Sequence, residues 1–300
     1  MLDLVSVVIP TYNRSKDLKR ALKSVLSQTY KNWEVVVVDN NSTDDTDAML
    51  KDLNDQRIRL LKINNNGVIA ASRNLGIYAS NGKWIAFLDS DDWWTSQKLE
   101  LSVKALEGGA DVVYHDMLLA TKPNQQVFLS RARTRRLQSP VFKDLIVGGN
   151  AIVTSSVIIK KTIFNKIKGF KEDQDLIAIE DYDAWLRVAK ITNNFEKIPK
   201  ALGYYWIGGG NTSNPKRTMQ VLNSFEKNYK KEISDLNVHR HMYWLNYNRA
   251  MAFYILNKKK QAKKIFKIAL NRHPILIIKI KCIVMIFIIN IQFFLKGNNL

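Results

Sequence analysis

The run Asp89-Ser90-Asp91-Asp92 places three carboxylates within four residues, directly after an apolar segment at residues 84–88. Side chains alternate in direction along a strand, so Asp89 and Asp91 are expected to point into the same site. Carboxylate oxygens are hard ligands that suit Mg²⁺ or Mn²⁺. Acidic turns that cap a helix use the same pattern, and the run by itself favours that simpler interpretation over a metal site.

A second acidic pair, Glu180-Asp181, opens the segment Glu180-Asp181-Tyr182-Asp183-Ala184-Trp185-Leu186. A positioned carboxylate can remove the proton of an attacking hydroxyl group and so act as a general base. Carboxylates at the start of a helix are also stabilised by the helix dipole. The pair by itself therefore favours an ordinary helix start, with the general base as the alternative.

Helical patterns separate four predicted strands, at residues 5–9, 34–38, 59–63 and 84–88, of which the first two are predicted to be buried by their continuous apolar runs. This alternation is typical of a doubly wound, mostly parallel sheet, and thus of an α/β protein. Ligands of such sheets bind beyond the carboxyl ends of the strands. Polar clusters follow three of these runs, at residues 11–13, 39–44 and 89–92. Because they share one sheet edge, a ligand site becomes the better interpretation of the acidic run.

The segment from residue 111 to residue 212 is less regular, with predicted strands at residues 112–114 and 154–159 and a predicted helix at residues 182–191. A loop at residues 122–140 could bind an anionic acceptor or be an ordinary solvated loop, and its arginines are Arg131, Arg133, Arg135 and Arg136. The histidines show no metal-ligand grouping and are interpreted as structural: His115, His239, His241 and His273.

Positive charge is concentrated at the C-terminal end of the chain. The formal net charge is +19, and residues 214–300 contain 17 Lys and Arg against 3 Asp and Glu. Such asymmetry indicates an anionic partner, either nucleic acid or an anionic membrane surface. We therefore predict a folded domain at residues 1–213 and a basic helical extension at residues 214–300.

The last helix, predicted at residues 275–295, is very apolar. A transmembrane span needs about 20 predominantly apolar residues, and the unbroken apolar run covers only residues 282–289. A helix that lies in the membrane interface, with its lysines extended toward the lipid headgroups, fits better. A buried core helix or a homodimer interface is the alternative.

Three further features restrict the class of protein. The single cysteine, Cys282, excludes an internal disulfide framework and a Cys-based zinc cluster, and it fits a reducing compartment. The chain enters its first apolar run without a basic leader, so we expect a first strand instead of a signal peptide. No Gly-x-Gly-x-x-Gly follows that strand, which disfavours a dinucleotide oxidoreductase.

Four motifs, in order and correctly spaced, resemble the family 2 glycosyltransferases, and they lie at residues 5–14, 38–44, 72–76 and 87–92. The resemblance extends over roughly residues 5–210 and implies the GT-A nucleotide-sugar fold, with a C-terminal helical extension beyond it. It also implies that a sugar leaves a nucleotide diphosphate in one in-line displacement, which inverts the anomeric carbon without a covalent intermediate.

The positions that match the motifs of this family imply roles for individual residues. Thr11 and Tyr12 would contact the nucleotide base, with Tyr12 stacked on it, and Asp39 would hydrogen-bond to uracil, which favours a UDP-sugar. Arg73 resembles a cation near the donor and the acidic run. Asp89 would touch the ribose or the sugar. Asp91 would hold Mn²⁺ or Mg²⁺, which acts as a Lewis acid on the leaving diphosphate.

The acidic pair resembles the acceptor-side motif of the family, in which the Asp is the base. Asp181 is therefore the predicted catalytic base, and Glu180 and Trp185 are predicted to contact the acceptor or to support the site from behind.

The chain departs from the family pattern at two places. Asn40-Asn41 stands where many members have Asp-Gly, and we expect the loop to be retained because Asn tolerates a left-handed turn. Trp206 and Gly208 stand where many relatives carry an Arg or His that reaches the diphosphate or the metal. Lys200 or one of the loop arginines could take over that contact.

These expectations lead to a hypothesis about function: transfer of a hexose (glucose, galactose or an N-acetyl form) from a UDP-sugar to a polyprenyl-diphosphate-linked glycan of a surface polysaccharide, such as O-antigen or capsule. The basic, apolar tail places the protein at the cytoplasmic face of the cell membrane, as a peripheral or monotopic protein. One alternative is a glycosyltransferase for a soluble or protein acceptor, whose tail forms a homodimer. A non-catalytic nucleic-acid-binding protein is the other, but it leaves the acidic clusters unexplained and has no recognised motif. We therefore expect no nucleic-acid partner.

Overall fold

The computed structural model describes residues 3–122, 125–132, 134–208, 214–238, 241–272 and 276–297. Arg133, His239, His273 and residues 209–213, which include the predicted domain boundary, lie outside the described residues. The chain divides into two compact units, one formed by residues 1–142 and 151–210, the other by residues 143–150 and 211–300.

The described residues form nine strands: β1 (Val5–Thr11), β2 (Trp33–Asp39), β3 (Ile58–Lys62), β4 (Trp84–Phe87), β5 (Trp93–Trp94), β6 (Val112–Ala120), β7 (Arg131–Ala132), β8 (Ile158–Lys160) and β9 (Phe195–Trp206). They form twelve α-helices: α1 (Ser15–Leu26), α2 (Thr46–Leu53), α3 (Ile69–Ala79), α4 (Lys98–Glu107), α5 (Val141–Gly148), α6 (Lys161–Lys166), α7 (Glu180–Ala189), α8 (Pro215–Asn228), α9 (Lys230–Asp235), α10 (Tyr243–Ile255), α11 (Lys259–Arg272) and α12 (Leu276–Gly297).

The strands of the first unit pair in the order β3-β2-β1-β4-β8-β6-β9-β5, and the short strand β7 also pairs with β6, antiparallel at Met117 and Leu118. The first four strands are parallel, as predicted, and β8 joins them antiparallel to β4. Every residue of β1 is buried, which explains its continuous apolar run, since a central parallel strand is covered on both faces. The carboxyl ends of β1, β2 and β4 therefore meet at one edge of the sheet.

Two local predictions were wrong. The strand expected at residues 154–159 begins as a 3₁₀ turn, Thr154–Ser156, and only residues 158–160 are strand. The Ser156 hydroxyl donates to the Val153 carbonyl at 2.6 Å, and such local bonds compete with a strand ladder. In addition, β4 ends at Phe87, so the acidic run at residues 89–92 is a turn, and strand alternation does not determine where its side chains point.

The described helices of the second unit include a small helical core, formed where α11 contacts α10 and α12. Its fully buried residues are Ala250, Ala262, Phe266, Ala269, Cys282 and Ile289. Within the part of the chain that the structure describes, no helix is both long enough and apolar enough to cross a membrane.

Candidate active site

The loops after β1 and β2 are joined by hydrogen bonds into one edge. The Asn40 amide donates to the Thr11 carbonyl at 3.0 Å. The Asn13 side-chain oxygen accepts from the Thr43 amide at 2.8 Å. The Ser15 amide donates to the Asp44 carboxylate at 2.8 Å, which fixes the loop at the start of α1.

The three predicted base-binding positions differ in exposure, and Thr11 is buried. Tyr12 is 55% exposed at this edge, so its ring is accessible for stacking. Asp39 is completely buried and accepts from the Ser42 amide at 3.1 Å and from Lys62 Nζ at 3.3 Å. Contact between Asp39 and uracil therefore requires the Ser42 loop to move, and it stays a prediction. The Asn40-Asn41 loop is retained as expected, with Asn41 in the left-handed region at φ 55°.

Arg73 links the two acidic segments. It lies on α3 and is 3% exposed. Its Nη2 atom donates to Asp89 Oδ1 at 2.7 Å, and its Nη1 atom donates to Glu180 Oε1 at 2.8 Å. Since an unpaired buried charge is unfavourable, this two-sided pairing holds the turn after β4 next to the start of α7.

Asp91 and Asp92 occupy different environments within the turn. The Asp91 carboxylate contacts Arg14 Nη1 at 3.1 Å, and the Asp91 carbonyl accepts from Arg20 Nη2 at 2.8 Å. Asp92 is buried and accepts from the Trp206 amide at 2.9 Å. Burial, and next the negative charge of Asp89, raise the pKa of both carboxyls, that of Asp92 well above its ordinary value.

The surroundings of Asp181 shift its pKa toward the range that suits a general base. Thr154 Oγ1 donates to one of its oxygens at 2.9 Å, and the Tyr182 amide donates to the other at 2.6 Å. Burial, followed by the neighbouring Glu180 charge, raises the pKa of Asp181 to about 6. Arg73 and the two hydrogen bonds act in the opposite direction.

Glu180 and Trp185 support Asp181 from behind instead of lining an open surface. Glu180 is 7% exposed, and besides Arg73 it accepts from the Ala178 amide at 2.7 Å. Trp185 is completely buried and belongs to an aromatic cluster whose other rings are Phe87, Phe164 and Phe170. Of the two roles predicted for Trp185, the structure favours support of helix α7 over contact with an acceptor.

Comparison with known proteins identifies the fold and the family. The model of glycosyl transferase family 2 matches residues 6–166, more than half of the chain. The chain belongs to this family. An uncharacterized glycosyltransferase of Rickettsia bellii (strain RML369-C) is 33% identical over 73% of the chain, which spans only 31% of that protein. The Escherichia coli UDP-Glc:alpha-D-GlcNAc-diphosphoundecaprenol beta-1,3-glucosyltransferase WfgD is 28% identical over 75% of the chain and 87% of its own length.

A solved structure confirms the predicted α/β fold of the GT-A type. S. aureus TarS 1–349 in complex with UDP-GlcNAc matches with a TM-score of 0.58 and 16% identity, covering 88% of the chain and 83% of TarS. The predicted class of protein, a glycosyltransferase, is confirmed at the level of the family.

The family 2 site has a surplus of negative charge that fits a divalent cation. Ion pairs and electrostatic interactions connect three guanidinium groups with six carboxyl groups. The guanidinium groups belong to Arg14, Arg20 and Arg73, and the carboxyl groups to Asp17, Asp89, Asp91, Asp92, Glu180 and Asp181. Mg²⁺ commonly takes one or two protein carboxylates and completes its shell with substrate phosphates and water. Asp91 and Asp89 can provide these protein carboxylates. No group of three or more His, Cys, Asp or Glu side chains suited to hold a metal ion occurs within the described ranges.

Several contacts of the family 2 site were not predicted from the sequence. The guanidinium that lies beside Trp206 among the described residues is that of Arg20, and a diphosphate contact from Lys200 or a loop arginine stays a prediction. The Arg20 guanidinium lies 5.0 Å from the Trp206 ring centre and 4.4 Å from that of Trp93, while Arg131 lies 3.8 Å from Asp116. The only sequence signal for Arg20 is its helical spacing from Asp17, with which it pairs at 2.9 Å.

Tyr205 was also not predicted. It is 38% exposed, and its phenol has a pKa raised to about 12, first by burial and then by Asp92, Asp89, Asp91 and Asp181 in that order. The hydroxyl therefore keeps its proton and remains a hydrogen-bond donor at neutral pH. Its position next to Trp206, in a segment where relatives carry a polar side chain, was the available signal.

Proposed function

We propose that this chain is a metal-dependent, inverting glycosyltransferase that transfers a hexose (glucose, galactose or an N-acetyl form) from a UDP-sugar to a polyprenyl-diphosphate-linked glycan in surface polysaccharide synthesis. The observation that carries the proposal is the Arg73 bridge. One buried guanidinium contacts Asp89 of the acidic turn and Glu180 beside the candidate base, Asp181. The donor and acceptor halves of a transfer site are thus held together.

The proposed chemistry assigns the proton transfer to Asp181. Its carboxylate accepts the proton of the acceptor hydroxyl while the hydroxyl oxygen attacks the anomeric carbon. The bond from that carbon to the UDP oxygen breaks in the same step, and the configuration inverts. A pKa of about 6 leaves most of the group ionised at neutral pH while keeping it more basic than an exposed Asp. Thr154 and the Tyr182 amide fix the direction of its oxygens.

The donor half of the proposal relies on Tyr12, Asp91 and the surplus negative charge. The exposed Tyr12 ring offers a stacking surface for a nucleotide base, at the edge that also includes Thr11 and Asp39. When bound, Mn²⁺ or Mg²⁺ would be held by Asp91 with Asp89 and would neutralise charge on the departing diphosphate. The name of WfgD, which specifies UDP-Glc and a GlcNAc-diphosphoundecaprenol acceptor, and the UDP-GlcNAc complex of TarS support this choice of donor and acceptor.

The second unit is proposed to bring the enzyme to the cytoplasmic face of the membrane, as a peripheral or monotopic protein. One face of α12 has an apolar stripe, which we define as the exposed residues Leu276, Ile280, Ile283, Val284, Phe287, Ile291 and Phe294. The neighbouring α11 exposes Lys260, Lys264 and Lys267. An apolar stripe and exposed lysines in the same unit suit an anionic lipid surface. The division into a catalytic domain at residues 1–213 and a membrane-associating extension at residues 214–300 belongs to the same proposal.

A donor-hydrolysis screen tests the catalytic part. Purified protein is incubated with UDP-, GDP- and dTDP-sugars, with and without Mn²⁺, and release of the nucleotide diphosphate is measured. We expect hydrolysis of a UDP-sugar that depends on the metal and is lost in D91N. Preference for a donor without uracil would contradict the role of Asp39, and full activity without metal would contradict that of Asp91.

The alternatives predict different results in binding experiments. A soluble or protein acceptor with a dimerising tail predicts a stable dimer and no affinity for anionic vesicles. A nucleic-acid-binding protein predicts salt-sensitive binding to RNA or DNA and no donor hydrolysis.

A further inference from the structure

Two arginines contact the carboxylates of the acidic turn, and they differ in how firmly they are held. Arg73 is buried, and its two nitrogens pair with two separate carboxylates at 2.7 and 2.8 Å. The Arg14 side chain is 34% exposed, and its single contacting nitrogen lies 3.1 Å from Asp91 and 3.4 Å from Asp17. Arg73 is therefore a fixed part of the fold, whereas the guanidinium of Arg14 can exchange its partner at little cost.

The main chain on both sides of Arg14 is fixed. The Asn13 amide donates to Ser42 Oγ and the Ser15 amide to Asp44 Oδ2, each at 2.8 Å. The Arg14 carbonyl accepts the first backbone hydrogen bond of α1, from the Leu18 amide at 2.8 Å. Only the side chain is left free to move, within reach of the same loop that exposes Tyr12.

The partner of Arg14 is the carboxylate to which the proposed function assigns the metal. A guanidinium on Asp91 and a divalent cation on the same oxygen exclude each other by charge and by volume. The Asp17 carboxylate, which faces Arg14, is also paired with Arg20 at 2.9 Å, so Asp17 remains neutralised when Arg14 departs. Asp89 likewise keeps its pairing with Arg73, whereas the Asp91 carboxylate needs a replacement cation.

We propose that Arg14 is an exchangeable cation: it neutralises Asp91 in the free enzyme, gives way to the divalent cation that arrives with the donor, and then pairs with the diphosphate of the donor. The inference rests on the proposed function and adds to it a positioning residue on the loop before α1. A planar guanidinium that leaves a carboxylate suits phosphate oxygens, because it offers the same fork of donors to both. One side chain thus couples the arrival of the metal to that of the diphosphate.

The exchange predicts opposite effects of one substitution on two ligands. In R14Q, Mn²⁺ alone is expected to bind about two- to fivefold more tightly, because a competing half-exposed ion pair is gone. UDP in the presence of saturating Mn²⁺ is expected to bind about tenfold or more weakly, because a charge-assisted contact to the diphosphate is lost. R14K, which keeps the charge without the fork, should lie between wild type and R14Q for both ligands.

Calorimetric titration of the full chain with MnCl₂, and then with UDP in saturating MnCl₂, measures both effects. D91N shows which part of the Mn²⁺ binding belongs to this site, and R57Q, which removes an exposed arginine paired with Asp55, is the matched control. Weaker binding of both ligands to R14Q would show that Arg14 only orients Asp91, and unchanged UDP binding would exclude the diphosphate contact; either result overturns the inference. A wild-type protein that binds neither Mn²⁺ nor UDP would contradict the proposed function itself, and the inference with it.

Discussion

At the scale of single residues, the site is organised by pairs of charges with unequal burial. Arg73 is enclosed and satisfied on two sides, so it has a structural function within the site. Asp181 directly follows the buried Glu180 in the chain. Burial, and next the charge of Glu180, raise the pKa of Asp181. Burial and an adjacent carboxyl thus bring the pKa of Asp181 close to neutrality, against the opposing effect of Arg73.

The pKa of Asp181 determines the pH dependence expected of the transfer. Only the ionised carboxylate can accept a proton, so kcat/KM should rise with pH through about 6 and level off above it. In T154V the hydrogen bond that favours the ionised form is lost, so this limb should move to higher pH. The loss of activity should then be larger at pH 6 than at pH 8, as pH–rate profiles of the two proteins would show.

D181N is the reference for this prediction. It should lower kcat by about 10²–10⁴-fold above pH 6, the usual contribution of a general base, and by less below that pH, where the wild-type base is protonated. A wild-type limb that is unchanged in T154V, or substantial activity in D181N, would assign the base to another residue.

At the scale of secondary-structure elements, helix α3 determines where Arg73 lies, and Gly76 determines how closely α3 approaches the sheet. A Cβ atom at residue 76 would lie 2.5 Å from Val8 Cγ1 and 3.2 Å from Val38 Cγ2. The glycine therefore allows the helix to pack directly on β1 and β2. Arg73 precedes it by one turn, so the position of its guanidinium depends on this close approach.

G76A should push α3 away from the sheet and so reduce both stability and activity. Overpacking of this kind typically costs about 1–3 kcal/mol, and displacement of Arg73 should lower kcat more than it raises the KM for the donor. V8A/G76A restores the space, so urea unfolding should show the double variant to be more stable than the sum of the two single changes. Simple additivity would mean that the Val8 contact does not limit the helix.

Helix α4 contains a lysine whose burial opposes folding. Lys98 is completely buried, and its Nζ atom has no hydrogen-bond partner among the described residues, although it lies 3.9 Å from the centre of the Trp94 ring. Burial lowers the pKa of Lys98 well below its ordinary value. The unfolded chain therefore binds this proton more readily than the folded one, so the contribution of Lys98 to stability falls as pH decreases from about 10.4 toward the lower pKa of the folded state.

K98M should consequently raise the free energy of unfolding by roughly 1–3 kcal/mol, the range for relief of an unsatisfied buried polar group. The gain should be larger at pH 7 than at pH 9. Urea denaturation at the two pH values measures it, with K104M on the exposed face of the same helix as the control. A loss of stability in K98M would indicate that the contact with Trp94 outweighs desolvation.

At the scale of the whole molecule, the chain has two compact units with different surfaces. The first has the sheet edge with its charged site, and the second has both the apolar stripe of α12 and the exposed lysines of α11. This pairing of an enzyme fold with a basic, apolar extension is the basis for the proposed lipid-linked acceptor, because such an acceptor is restricted to a membrane surface.

Binding to the membrane should depend on both the apolar stripe and the lysines. I283E/F287E places two charges on the stripe, and it should weaken sedimentation with anionic vesicles by about tenfold or more, since the two side chains no longer enter the lipid. A high salt concentration should also weaken binding of the wild-type chain, because it screens the lysines. Y78E, which charges an aromatic residue that is 89% exposed in the first unit, should have no effect. Equal binding of all three proteins would remove the basis for membrane association.

Several features could be predicted from the sequence because their causes are local. The apolar runs that form β1, β2 and β4 bury both faces of a parallel strand, and polar residues must follow where the strands end. That pattern predicts the sheet and the edge at which Tyr12, Asp39 and Asp91 lie. Asn41 could be expected to tolerate a left-handed turn for an equally local reason.

The tertiary structure alone decided which charges meet. Arg73 and Glu180 are separated by 107 residues, and no local periodicity relates them. The hydrogen bond from Thr154 to Asp181 spans 27 residues, and the packing of Trp185 inside an aromatic cluster likewise depends on segments far apart in the chain. Side-chain types and spacing therefore determined the fold and the kinds of groups at its edge, whereas the pairing, burial and acidity of those groups depended on non-local contacts.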